Sequence, residues 1–218
     1  LEHGVIIMVV MKFHPSPYER ATSLTDVAMG LLAAGMSLDL CAPGGFRSTV
    51  WAWAFGLLSL SSLLGAAAHG FAMSERTNTQ LWMPINLSLG LALGMFVVGA
   101  LNDLGGESAA RFILPAMIAL GFGFFLVTLW KPGTFMTFIA YEAAAMLFAL
   151  GVYGYLFLAG SLAGAGWMLA GVIVTILAAA IQATGKPGKG IIWYFDNNGV
   201  FHVIQMTGMV LLWVGLRP

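Results

Sequence analysis

Seven mostly apolar runs, at 24–42, 50–73, 81–101, 112–130, 135–159, 167–182 and 197–216, fill most of this chain. Each is near the ~20 residues that cross a hydrocarbon core as a helix. The links between them are short and carry turn chemistry: "APGG", "SERTNT", "NDLGGES", "KPG" and "GKPGKG". A soluble domain has about a quarter of its residues charged, whereas here 8% are charged and 60% are hydrophobic. The pattern predicts an all-α fold, a polytopic integral membrane protein built as a seven-transmembrane helix bundle. The link "AGSLAGAG" is soft and uncharged, so a six-span reading with a longer fifth element stays open.

Residues 21–218 are read as one domain and residues 1–20 as an N-terminal tail. The apolar run from Val5 to Met11 is too short to span, no basic residue precedes it, and no small-residue cleavage site follows it. Met8 or Met11 would serve as a native start, with the residues before it an artificial remnant. His3 and His14 are read as solvated tail. Net charge is zero, which gives no reason to expect nucleic acid, and the lone Cys41 excludes an intrachain disulfide. Lys and Arg in the loops divide six against three: Lys12, Arg20, Arg76, Lys131, Lys186 and Lys189 on one side, Arg47, Arg111 and Arg217 on the other. The positive-inside rule then puts the N-terminus in the cytoplasm and the C-terminus outside, in a bacterial inner (plasma) membrane.

Ionisable groups within a span are costly to desolvate, so each is a functional candidate. They are Asp26 in span one, His69 in span two, Glu142 in span five, and Asp196 with His202 around span seven. Gln80 opens span three. Asp39 and Asp103 sit at span ends, where solvation is expected. By depth, the candidates fall in the half of the bundle nearest the cytoplasmic side. Asn198, His202 and Gln205 are spaced i, i+4, i+7 and share one helical face. Asp196 is a candidate for the site or for the helix cap, since Asp is favoured there. His69, among the small residues of "GAAAHGF", is the expected partner of His202. Two imidazoles at one depth point to a shared metal, or to a hydrogen-bonded polar cluster without one.

The arrangement resembles the CREST superfamily, which includes alkaline ceramidases, adiponectin and progestin receptors, and membrane hydrolases that remodel GPI-anchor lipids. The resemblance rests on seven spans, a His near the end of the second, and "DNNGVFH" opening the seventh, similar to the D-A-H-A-L-W-H pattern of the GPI-remodelling branch. His69 stands at the span-two His and His202 at the second His of the seventh-span pair. Asn198 replaces the first of that pair, Gly65 replaces a Ser, and Gln80 falls where span three would open with an Asp. The resemblance implies zinc held by His69 and His202 with Asn198, and Asp196 or Asp26 as the catalytic carboxylate. Gln205, Gln80 and Glu142 would contact the ligand. In such a site zinc lowers the pKa of a bound water for attack on an amide or ester.

Two readings follow. One is a zinc-dependent intramembrane hydrolase of lipid amides or esters. The other is a non-catalytic relative that binds a lipid or lipid-like small molecule, or joins a membrane complex as a subunit. Bis-histidine haem ligation by His69 and His202 is a weaker third. Span seven has no Lys to form a Schiff base, which argues against a retinal protein.

Overall fold

The computed structural model describes residues 12–130 and 135–217. The apolar run from Val5, His3 and the "KPG" turn at 131–133 lie outside the described residues. The fold is all-α. Its elements are β1 (Lys12–Phe13), α1 (Pro17–Cys41), α2 (Phe46–Gly70), β2 (Phe71–Ala72), α3 (Glu75–Trp130), α4 (Phe135–Leu158), α5 (Ala165–Thr184) and α6 (Asn197–Leu216). Among the described residues, six helices are long and apolar enough to cross a membrane. Large apolar side chains point outward along them, Leu38, Phe112, Leu126, Leu158 and Leu177 among them. A soluble monomer rarely exposes apolar patches larger than a few hundred Å², so this surface suits lipid.

α1 starts inside the segment read as tail. Ser16 caps it by accepting from the Glu19 amide, and Pro17 occupies the first turn, where its missing N–H costs nothing. β1 then pairs antiparallel with β2, which ties the entry of α1 to the end of α2. α1 and α2 form a hairpin that turns on Gly44 and Gly45, both at positive φ. Small residues let the two backbones close. Ser23, Ser37 and Ser59 donate across the seam to the carbonyls of Ala66, Ala52 and Gly30 at 2.7, 2.7 and 2.8 Å. Such hydroxyl bonds and small contacts hold helices together where lipid supplies no hydrophobic drive.

The helix count differs from the seven apolar runs at α3. This element has 56 residues, about 84 Å if straight, against a hydrocarbon core of about 30 Å. It is not straight: Gly106, at φ 80 and ψ 176, breaks the helical backbone. The limbs on either side fold back antiparallel. A Cβ on Gly90 would stand 2.8 Å from the Gly121 carbonyl oxygen, and one on Gly94 would stand 2.9 Å from that of Met117. "NDLGGES" is therefore helix on both sides of a one-residue reversal. "AGSLAGAG" does separate two helices, α4 and α5, with Gly160 at positive φ. α5 and α6 pair through a second glycine seam, where a Cβ on Gly171 would lie 2.9 Å from the Gly208 oxygen.

The bundle has two chemically distinct ends. At one, where α1 finishes, Asp103 is buried between Arg47, which bonds both its oxygens, and the Tyr153 hydroxyl at 3.0 Å. Arg47 also reaches the Leu216 carbonyl at 3.2 Å, and Arg217 pairs with Asp39 at 2.9 Å. The expectation of solvation holds for Asp39, which is exposed, and fails for Asp103, whose side chain is 1% exposed. Asp103 gathers helix ends, because a buried carboxylate is stabilised only with its charge met. The other end, where α1 begins, carries the candidate site.

Candidate functional site

A cavity of about 450 Å³ enters the bundle from that second end. This is within the ~300–1,000 Å³ of small-molecule sites. One face of α2 tracks its length through Trp51, Phe55, Leu58, Ser62, Gly65 and His69. Steps of three and four keep these on one side of the helix, and the run covers about 27 Å. α6 lines the opposite wall with Asn198, His202, Gln205, Met209 and Leu212. Gly185 and Pro187, in the link before α6, lie at the entrance. The cavity is thus polar near its entrance and apolar at depth, where the Trp51 ring meets Phe96 edge-on at 5.3 Å between centroids.

The entrance is built by four helix ends. His69, at the end of α2, holds Glu19 of the first turns of α1: Nδ1 lies 2.6 Å from Oε2. His202, one turn into α6, is buried between two α1 residues. Its Nδ1 is 2.9 Å from Thr25 Oγ1, and its Nε2 is 3.4 Å from Asp26 Oδ1. Thr25 Oγ1 can donate to its own helix, at the Thr22 carbonyl 2.8 Å away. In that arrangement His202 Nδ1–H donates to Thr25, and Nε2 is turned toward Asp26. Thr25 is not on the cavity wall, so it orients the ring and is not placed to attack a bound molecule. Gly65 makes room for this group, since a Cβ there would stand 3.1 Å from Asp26 Oδ2.

Asp196 has a different role. Its Oδ1 accepts from the Asn198 and Gly199 amides at 3.0 and 3.2 Å, and its Oδ2 from Gly188 at 2.8 Å. It is the α6 cap and also pins the preceding loop. Asn197 turns back to α5, donating from Nδ2 to the Gln182 carbonyl at 2.9 Å. That bond fixes the amide orientation and leaves Oδ1 as a buried acceptor with no hydrogen-bond partner.

Deeper in, the cavity collects polar groups that the protein does not satisfy. Seven buried side-chain polar atoms among the described residues have no hydrogen-bond partner: Trp51 Nε1, Ser62 Oγ, Glu142 Oε2, Thr175 Oγ1, Gln182 Oε1, Asn197 Oδ1 and Gln205 Oε1. All of these residues line this one cavity. Ser62, Glu142, Thr175 and Gln205 come from four different helices, seven to nine residues in from the entrance end of each. At 1.5 Å per residue they form one layer about 10–14 Å deep. An orphaned buried polar group costs roughly 1–3 kcal/mol, so a cluster of them marks a place where something else supplies the bonds.

Of the residues expected from sequence, Asp26, His69, Glu142, Asn198, His202 and Gln205 line this cavity together. Asp196 is buried beside it as a cap, and Gln80 is exposed and apart from it. Sequence reasoning missed Glu19, Ser62, Thr175, Gln182 and Asn197. Glu19 had a usable signal, because it precedes Asp26 by seven residues and shares its helical face. Ser62 and Thr175 had none, since a hydroxyl in a span is ordinary.

Each member of the zinc set implied by the resemblance has a protein neighbour in this structure. Among the described residues no group of three His, Cys, Asp or Glu is placed to hold a metal ion. His69 and His202 face Glu19 and Asp26 respectively, and the Asn198 amide oxygen accepts from Gln182 Nε2 at 3.4 Å. Residues 21–218 match the Family of unknown function (DUF6962), and the chain belongs to that family. No curated protein and no solved structure matches it.

Proposed function

We propose that this family member is an integral membrane protein that binds an amphiphilic, lipid-like molecule in the cavity between its helices. The observation that carries the reading is that the residues bearing the seven unsatisfied buried polar atoms, among those described, all line one cavity with an apolar inner end. The polar layer would take the head of such a molecule, and the region of Trp51, Phe55 and Phe96 its chain. The same reading takes the two limbs of α3 as separate crossings, giving seven. In support, α1 begins at the entrance end and Arg217, after α6, pairs with Asp39 at the opposite end. An odd number of crossings is what such a path requires. The entrance end carries most of the loop Lys and Arg, which favours a cytoplasmic entrance and N-terminus in a bacterial inner membrane.

The test uses Trp51 and Trp82, both on the cavity wall. The other tryptophans are changed to Phe, and the protein is placed in phosphatidylcholine nanodiscs. ω-Bromododecanol, whose bromine quenches indole emission on contact, should quench saturably. Ala92→Phe, which fills the wall from α3, should weaken that quenching. Quenching that rises linearly and ignores Ala92→Phe would mean that the probe meets the tryptophans only from the bilayer. Elemental analysis addresses the hydrolase alternative. Zinc near one per chain, lost in His69→Ala and His202→Ala, would replace the binding reading with a metal-centred one.

A further inference from the structure

The polar layer of the cavity is unbalanced in a way that specifies its ligand. Three of the unsatisfied atoms are acceptors if Glu142 is ionised: Glu142 Oε2, and Gln182 Oε1 and Asn197 Oδ1, whose amides are oriented by bonds from their nitrogens, while the Gln205 amide can serve either way. Ser62 and Thr175 hydroxyls can serve either way, and the single pure donor is Trp51 Nε1 at the inner end. Two carboxylates line the cavity, Asp26 and Glu142, and no Lys or Arg does so among the described residues. Asp26 lies 3.4 Å from His202 Nε2, whereas Glu142 Oε2 is buried with no hydrogen-bond partner. Around and beyond this layer the walls are aromatic, with Trp51, Phe55, Phe96, Phe138 and Phe201. Aromatic faces attract cations, and more strongly when water is excluded. A neutral or anionic head would leave the acceptors unmet or add repulsion.

We infer that the cavity selects an organic cation, an alkylammonium whose N–H groups donate to Glu142 and the neighbouring amide oxygens while its chain lies against Trp51, Phe55 and Phe96. An inorganic cation would fill little of about 450 Å³ and leave the apolar inner end without a function. The inference rests on the binding reading above and names the class of molecule bound. Gln205, on α6, lies three residues from His202 on the same face, so the ammonium would bridge α4 to α6. These helices otherwise meet chiefly through α5.

The experiment is a competition in the same nanodiscs, whose net-neutral lipid does not itself concentrate cations. Dodecylammonium, dodecanol and dodecanoate, equal in chain length, each displace ω-bromododecanol at pH 7. Dodecylammonium should displace it at a concentration at least about tenfold below dodecanol, as a charge-assisted hydrogen bond implies, with dodecanoate weakest. Glu142→Gln should bring dodecylammonium to within about twofold of dodecanol, because the charge-assisted bond is lost. Circular dichroism and thermal unfolding close to those of the unaltered chain show that the variant is folded. Equal displacement by ammonium and alcohol in the unaltered chain would overturn the inference and leave the binding reading standing. So would a preference for dodecanoate, or a folded Glu142→Gln that keeps its preference for the amine. The series on the unaltered chain needs no variant, so a Glu142→Gln that fails to fold leaves the inference fully exposed to it. Absence of saturable quenching by the uncharged probe would sink the binding reading, and this inference with it.

Discussion

Asp196 and Asp26 were equal candidates on the sequence, and their surroundings separate them. Both oxygens of Asp196 are used by backbone amides, so its loss should act on stability and not on binding. Asp196→Ala is expected to lower stability by roughly 1–2 kcal/mol, as cap removal does, and Asp196→Asn by less, since one acceptor is kept. Thermal unfolding in detergent, alongside probe quenching, checks both halves of that expectation. The Asp103 site gives a larger effect. Arg47→Met would leave a carboxylate with 1% side-chain exposure held only by Tyr153. The cost of breaking a buried pair is about 3–5 kcal/mol, and partial exposure of Arg47 puts the expected loss at the lower end. What the sequence discloses at this scale follows from cost. A charge or imidazole in an apolar run is conspicuous, so Asp26, His69, Glu142 and His202 were legible and do share one cavity. Ser62 and Thr175 are common in spans, and only their lack of a partner, a three-dimensional fact, marks them. Glu19 was passed over because the segment before residue 21 was treated as tail, although Ser16, Pro17 and Glu19 together read as a helix start.

At the scale of elements, apolar run length located nearly every helix, because a membrane leaves the backbone few alternatives. It failed to locate the sharpness of one turn. "NDLGGES" has the composition of a loop, yet the helix continues on both sides and the direction reverses at Gly106 alone. A φ of 80° is open to glycine and strained for any residue with a Cβ. Space is not limiting there, since a Cβ on Gly106 would meet nothing within 4 Å. Gly106→Ala should therefore cost about 1–2 kcal/mol from backbone strain alone. Gly94→Leu tests the other requirement of the hairpin, because its side chain would run into the Met117 carbonyl. Overpacking of this kind costs about 1–3 kcal/mol. Thermal unfolding should register both losses. If the limbs did not pack on each other, Gly94→Leu would be silent while Gly106→Ala need not be.

For the molecule as a whole, the charged anchors at one end and the cavity at the other give the bundle a polarity that bears on its orientation. The three Arg residues at the anchored end are all engaged: Arg47 with Asp103, Arg217 with Asp39, and Arg111 with Glu107 and the face of Phe46. Their charges are largely met by the fold itself. At the cavity end, Lys186 and Lys189 sit in a link with no acidic partner within salt-bridge distance among the described residues. The Lys and Arg count itself, six against three, is what the positive-inside rule acts on, and under the proposed orientation it turns the cavity mouth to the cytoplasm. Cys41 provides a direct check. It is the single cysteine, it is exposed, and it closes α1 at the anchored end. A membrane-impermeant maleimide should label Cys41 in intact cells. A cysteine placed at Lys189 in a Cys41→Ser background should label only after the membrane is opened. Labelling of both from outside would refute seven crossings together with this orientation. The reverse pattern would keep the crossings and turn the mouth outward, so that the alkylammonium would reach its site from the far side of the membrane.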